Sequence, residues 1–171
     1  MDVRYINPFI MAVKNVFKSM VATDIHIGKL EILKANAEPR TDVSAVIGLS
    51  GDVAGCVVLS LPMQTAITTA GKFAGVEVSP DHPDFSDALG KLANNVAEQS
   101  KAQLNGLSVS ISLPSVIVGR EHIVAQSRQQ PRLSLPCNSD LGRFYVEVSM
   151  VVEKNEKSTA EATPAVASAE A

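Results

Sequence analysis

Apolar residues alternate with small or polar ones in several short runs, and these runs lie between segments of helical spacing; nothing else in the chain restricts its fold as much. Val43, Ala45, Ile47 and Leu49 share one parity, and Val57, Leu59 and Leu61 resume it after Gly55. Leu107, Val109, Ile111 and Leu113 form another such run, as do Val146, Val148, Met150 and Val152. A period of two marks a strand with one buried face. The first two runs, separated by Ser50-Gly51-Asp52, predict a hairpin with a tight glycine-containing turn. Residues 25–33 alternate but change phase near Gly28-Lys29, which predicts a bulged strand. A further strand signal covers 116–118 and runs on towards Ala125 with a turn near Gly119, whereas 126–142, polar and proline-containing, gives no assignable element.

Three segments carry the helical period. In 7–20, Asn7 is placed to cap, Pro8 suits the first helical position, and Phe9, Val13, Val16, Phe17 and Met20 share a face. Residues 63–74 predict a short helix with Ile67, Ala70, Phe73 and Ala74 inward, stopped by Gly75. The polar turn 79–84 feeds a longer helix over 84–104, with acidic residues at its start where the helix dipole favours them. The order is helix, three strands, short helix, long helix, three strands, which reads as two related halves. Strands grouped in runs favour an α+β fold, its helices packed on a mainly antiparallel sheet of about six strands. Composition changes at Glu153: residues 154–171 hold one branched aliphatic side chain, Val166, and no aromatic. The expected organisation is one domain over 1–153 and a disordered Ala/Glu-rich tail over 154–171.

Several function classes fall away on charge and composition. Fifteen basic against 18 acidic side chains leave a net charge of −3, which argues against nucleic acid or an anionic membrane as partner. Aromatic residues make up 4% of the chain and tryptophan is absent, leaving few platforms for stacking bases. No apolar run reaches membrane-spanning length and no basic segment leads into an apolar one at the start, so a cytoplasmic location is expected. Cys56 and Cys137 share no metal-ligand spacing and read as free thiols. The glycine-rich stretch 48–55 lacks the Lys-Ser/Thr of a phosphate loop and leads into a strand. Asp81, His82, Asp84 and Asp87 cluster beside prolines at a helix start, where capping accounts for them without a metal; the three histidines, His26, His82 and His122, share no ligand spacing.

The long helix carries the chemistry. At about 100° per residue, Phe85, Leu89, Leu92, Val96, Ser100 and Leu104 point one way, while Asp87, Lys91, Asn94, Glu98 and Lys101 form a stripe on the opposite side. On periodicity alone that stripe is a solvated face laced by Asp87–Lys91 and Glu98–Lys101 pairs. Yet the segment Asp87-x3-Lys91-x2-Asn94, followed about twenty residues later by Ser112-Leu113-Pro114-Ser115-Val116-Ile117-Val118-Gly119, resembles the CheX/CheC/FliY group of chemotaxis phosphatases. That group's motif is Asp/Ser-x3-Glu-x2-Asn with a distal proline in a strand connection. The helix opening Asn7-Pro8-Phe9-Ile10, the Gly51/Gly55 hairpin and the 114–119 segment are similar to the single-motif CheX branch, and the likeness spans about residues 7–153.

The resemblance implies a partner, a phosphorylated CheY-like response regulator, and a mechanism without a covalent intermediate on the phosphatase. The family asparagine, here Asn94, would enter the regulator's active site and orient the attacking water, a task a carboxamide performs without adding charge. It implies no cofactor on this chain, the magnesium belonging to the regulator, and a homodimer paired through its sheets. Lys91, Glu98, Asp87 and Asn95 are expected to contact the partner, with Asp87 chiefly capping or salt-bridging the helix. The chain departs from the pattern where the family has glutamate and carries Lys91, and where the family commonly has glycine one turn past the asparagine and carries Glu98. Glu98 shares a face with Asn94 and is placed to supply the missing carboxylate. Two functions stay open on these residues: a phosphatase acting through Asn94, or a non-catalytic relative that docks a signalling protein. A third reading leaves the polar helix simply facing water.

Overall fold

A computed structural model describes residues 2–34, 37, 40–125 and 130–153; the expected tail, 154–171, lies outside the described residues. The chain forms α1 (Val3–Met20), β1 (His26–Ile27), β2 (Glu31–Leu33), β3 (Val43–Gly51), β4 (Val53–Leu61), α2 (Met63–Ala74), α3 (Pro83–Ala102), β5 (Val109–Ile111), β6 (Ser115–Val118), β7 (Arg132–Ser139) and β8 (Gly142–Val152). All strand pairs are antiparallel, in the order β1–β7–β8–β4–β3–β5, with β2 also on β7 and β6 also on β3. Eight strands thus occupy six positions, because each edge is one strand broken in two.

The breaks are bulges, and the register shows them. On one edge Ile27 faces Cys137 while Glu31 faces Ser134, so one extra residue has entered the edge strand between them. On the other edge Ile111 faces Leu49 and Ser112 donates to the Gly48 carbonyl, but Ser115 faces Val46. Leu113 and Pro114 therefore share the single position opposite Ile47. Each half of the chain supplies a helix, a bulged edge strand and a hairpin. Each edge strand pairs with the other half's hairpin, so the halves interlock around the central β4–β8 pair.

Helices cover one face. Val43, Ala45, Ile47, Leu59, Leu61, Leu135, Phe144, Val146 and Val148 meet Phe9, Val13, Val16 and Phe17 of α1 and Phe85, Leu89, Leu92 and Val96 of α3, all buried. Phe17 stacks on Phe144 with ring centroids 4.7 Å apart. The opposite face is polar. There Arg132 pairs with Glu147, and His122 fixes a turn across the sheet: its Nδ1 lies 2.7 Å from the Gly119 carbonyl and its Nε2 2.8 Å from Ser44 Oγ. A carbonyl can only accept, so Nδ1 carries a proton and donates to Gly119.

Four expectations change. The first helix starts at Val3 rather than at Pro8, because Asp2 is the cap, accepting from the Arg4 amide at 2.9 Å; Pro8 lies inside the helix. On α2 the buried face is Thr65, Ala66, Thr69 and Ala70; Ile67 and Phe73 are half-buried and Ala74 is exposed. Small residues face inward there because α2 lies directly against α3 and β8. The run from 116 ends as a strand at Val118, where Gly119 and the left-handed Glu121 turn the chain. Finally, β7 crosses the region that gave no element. Its Leu133, Leu135 and Cys137 alternate, but Pro136 interrupts the pattern and ordinarily argues against an internal strand. Pro136 is tolerated because it faces Gly28 beside the edge bulge, where Gly28 donates to the Pro136 carbonyl at 2.7 Å and the ladder is already broken.

Candidate functional site on the third helix

His82 starts α3. Its Nδ1 accepts from the Asp84 amide at 3.1 Å, Pro83 follows at the first position and Asp84 sits in the first turn. The histidine and acidic residues that could suggest metal ligation are thus used as helix-start chemistry. Among the described residues no group of three or more His, Cys, Asp or Glu side chains is arranged to hold a metal ion.

From that start, Phe85, Ala88, Leu89, Leu92, Ala93, Val96, Ala97 and Ser100 are buried beneath the helix. The polar stripe remains outside but is not uniform. Asp87 and Lys91 are exposed and paired at 2.7 Å, and hydrogen bonding to Asp87 raises the pKa of Lys91. Glu98 is paired with Lys101 at 3.6 Å rather than turned on Asn94. Asn95 is half-buried and donates its amide to the Lys91 carbonyl at 2.8 Å, which ties it to its own helix.

Asn94 differs from all of these. It is half-buried, yet its carboxamide has no hydrogen-bond partner among the described residues. The expected stripe placed it fully outward; it shares instead the side of α3 that carries Gly90, one turn earlier, towards the β5–β6 edge. A Cβ at Gly90 would lie 3.3 Å from Pro114 Cγ and 3.5 Å from Val116 Cγ2, so the missing side chain lets the edge bulge close against the helix. Sequence reasoning noted Pro114 but passed over Gly90, whose signal was a glycine in mid-helix.

This flank belongs to the outer ridge of a helix. A cleft of about 50 Å³ lies on the opposite sheet face among Arg40, Ser44, His122, Arg132 and Glu147, and an open groove runs beside α2. Neither includes a residue of the Asn94 flank. An unengaged amide on such a ridge is placed to enter a pocket on another molecule.

The family described as chemotaxis phosphatase CheX matches residues 43–138, more than half of the chain. The chain belongs to the CheX family. The CheY-P phosphatase CheX of Thermotoga maritima is 27% identical over 124 residues, 71% of this chain and 79% of that protein. The crystal structure of the chemotaxis protein CheX from Desulfovibrio desulfuricans superposes with a TM-score of 0.80 at 28% identity, covering 87% of this chain and 100% of that one. The structure of a CheX–CheY–BeF3–Mg complex from Borrelia burgdorferi shares the fold at a TM-score of 0.72 and 23% identity, covering 85% of this chain and 97% of its counterpart. Lys91 and Glu98, which the resemblance sets at the family's glutamate and glycine positions, are both exposed.

Proposed function

We propose that this CheX-family chain dephosphorylates a CheY-type response regulator, inserting the Asn94 flank of α3 into the regulator's aspartyl-phosphate site. The observation that carries the reading is the Asn94 carboxamide itself, on a half-buried residue and without a hydrogen-bond partner among the described residues. Its oxygen accepts a hydrogen bond from water while its NH2 donates, so a single neutral group can hold the nucleophile in line with the bond to be broken. Water attacks phosphorus, the bond from phosphorus to the aspartyl oxygen breaks, and the products are inorganic phosphate and a free carboxylate on the regulator. Carrying Asn94 on a helix packed through Leu92, Ala93 and Val96 lowers the entropy lost on docking. This chain needs no cofactor of its own in that scheme; magnesium on the regulator neutralises the charge of the phosphoryl oxygens.

The work is cytoplasmic, where a phosphorylated regulator is available, and no helix among the described residues is long and apolar enough to cross a membrane. A homodimer fits through the β1–β2 edge, where Ile32 is 72% exposed on an open strand, because that edge lies at the far end of the sheet from α3. The deciding experiment follows decay of a regulator phosphorylated with acetyl phosphate. Wild-type protein shortens the phosphate lifetime, and Asn94→Ala abolishes the acceleration while still binding. Binding without acceleration by the wild-type chain would make it a docking relative instead.

A further inference from the structure

One exposed apolar residue on the edge bulge that meets α3 is held too firmly to be an idle surface leucine. Leu113 is 87% exposed at the β5–β6 bulge. Single exposed leucines are ordinary on protein surfaces, and most need no explanation. Leu113 is set apart by what fixes it. On one side Ser112 donates its amide to the Gly48 carbonyl at 2.9 Å, accepts the Gly48 amide on Oγ at 2.8 Å, and donates that hydroxyl to the Leu113 carbonyl at 2.8 Å. On the other side Pro114 is closed against α3 at Gly90. The bulge therefore presents Leu113 from a backbone fixed by Ser112, next to the Pro114 that closes on Gly90, one helical turn before Asn94. Bulges occur next to functional sites because the extra residue re-aims a side chain.

The charges nearby make an apolar contact more consequential. Lys91 is paired with Asp87, and Glu98 with Lys101, so the ridge carries two self-neutralised pairs rather than one sign of charge. Such a ridge has little long-range field to steer a partner or hold it. A clamped leucine loses little entropy on binding and gains from leaving water, which is the profile of an interface anchor.

We propose that Leu113 is the docking anchor for the phosphorylated regulator, seating in an apolar recess of that protein and holding the complex together while Asn94 acts. The inference rests on the phosphatase reading above and names a second residue for it. Leu113 supplies affinity and Asn94 supplies rate.

The test compares wild type, Leu113→Ser, Leu113→Met and Asn94→Ala with a CheY-type regulator of the source organism phosphorylated by acetyl phosphate. Steady-state dephosphorylation and direct binding by calorimetry are both read. Leu113→Ser raises KM and Kd about tenfold or more, as expected for a buried leucine lost from an interface, with kcat unchanged. Leu113→Met restores most of the affinity, and wild-type binding changes little between low and high salt. If wild-type protein binds without accelerating decay, the phosphatase reading fails, while the anchor still stands on the Kd of Leu113→Ser. An unchanged Kd in Leu113→Ser overturns the anchor alone. A change in sedimentation of the isolated Leu113→Ser protein overturns it too, by assigning the leucine to a second copy of this chain. Absence of any binding by wild type sinks both.

Discussion

Arg132 and Glu147 face each other on the sheet surface turned away from the helices, Nη1 3.0 Å from Oε2, with side chains 14% and 11% exposed. Arg132 also donates to the Val124 carbonyl, so one guanidinium ties β7 to β8 and to the chain that crosses above them. A buried ion pair is no great source of net stability, but removing one partner strands the other. Arg132→Met is expected to destabilise the fold by about 3 kcal/mol or more, read from urea melts, and to leave kcat unchanged because the pair lies on the face opposite α3.

The same pair sets a pH dependence. Burial raises the carboxyl pKa of Glu147 above its ordinary 4.5, and Arg132 pulls it partly back. The folded state therefore holds this proton more tightly than the unfolded state. The resulting contribution is fully present below 4.5 and is lost as pH rises through the raised value. Asp24 and Glu31 act in the opposite sense, since Lys18 and Arg40 hold them below their ordinary values and their contribution is lost in acid. Subtracting wild-type stability from that of Arg132→Met isolates Glu147. The deficit of the variant is greatest near neutrality and narrows as pH falls towards 4.5; a deficit constant across that interval would contradict the account.

Lys91 occupies the position where the family carries glutamate, and its present partner is Asp87. Lys91→Glu replaces an attraction one turn apart by a repulsion, which slightly lowers the melting temperature of an exposed helix face. Its effect on function is larger, because the resemblance implies a carboxylate facing a lysine of the regulator. Dephosphorylation by Lys91→Glu is expected to rise at least several-fold over wild type through a lower KM, with binding now weakened by salt. A fall in rate would mean that the regulator of this system carries the reversed charge.

Much of the fold was legible because its signals are local. The alternation over β3, β4 and β8, the helical period of α3 and Gly75 closing α2 each follow from one neighbourhood of the chain. What escaped was set by distant partners. Pro136 could enter β7 only because the β1–β2 bulge beside it gave up the ladder, and Asp2 displaced Asn7 as the cap although both are good caps by type. The same division runs through the site. The motif placed Asn94, Lys91 and Asp87 on one helix, and periodicity then turned Asn94 fully outward. What lies beside the Asn94 flank is Pro114, which reaches Gly90 across the fold, a relation that no spacing encodes.

That contact yields the last prediction, in which two substitutions at one position part company. Gly90→Ala gains about 0.8–1 kcal/mol in helix propensity. Its methyl group meets the Pro114 ring at 3.3 Å, so the ring must give by a few tenths of an ångström. The propensity gain offsets that small adjustment, so the variant is expected to melt close to wild type. Gly90→Leu cannot be accommodated that way: overpacking costs about 1–3 kcal/mol and drives Pro114 off α3. Because Leu113 rides on the same bulge, Gly90→Leu also raises KM for the phosphorylated regulator while kcat at saturation is retained, since Asn94 is held by its own helix. Thermal melts and saturation kinetics on both variants check this. A Gly90→Leu protein with wild-type KM would mean that the bulge and the Asn94 flank are recognised independently.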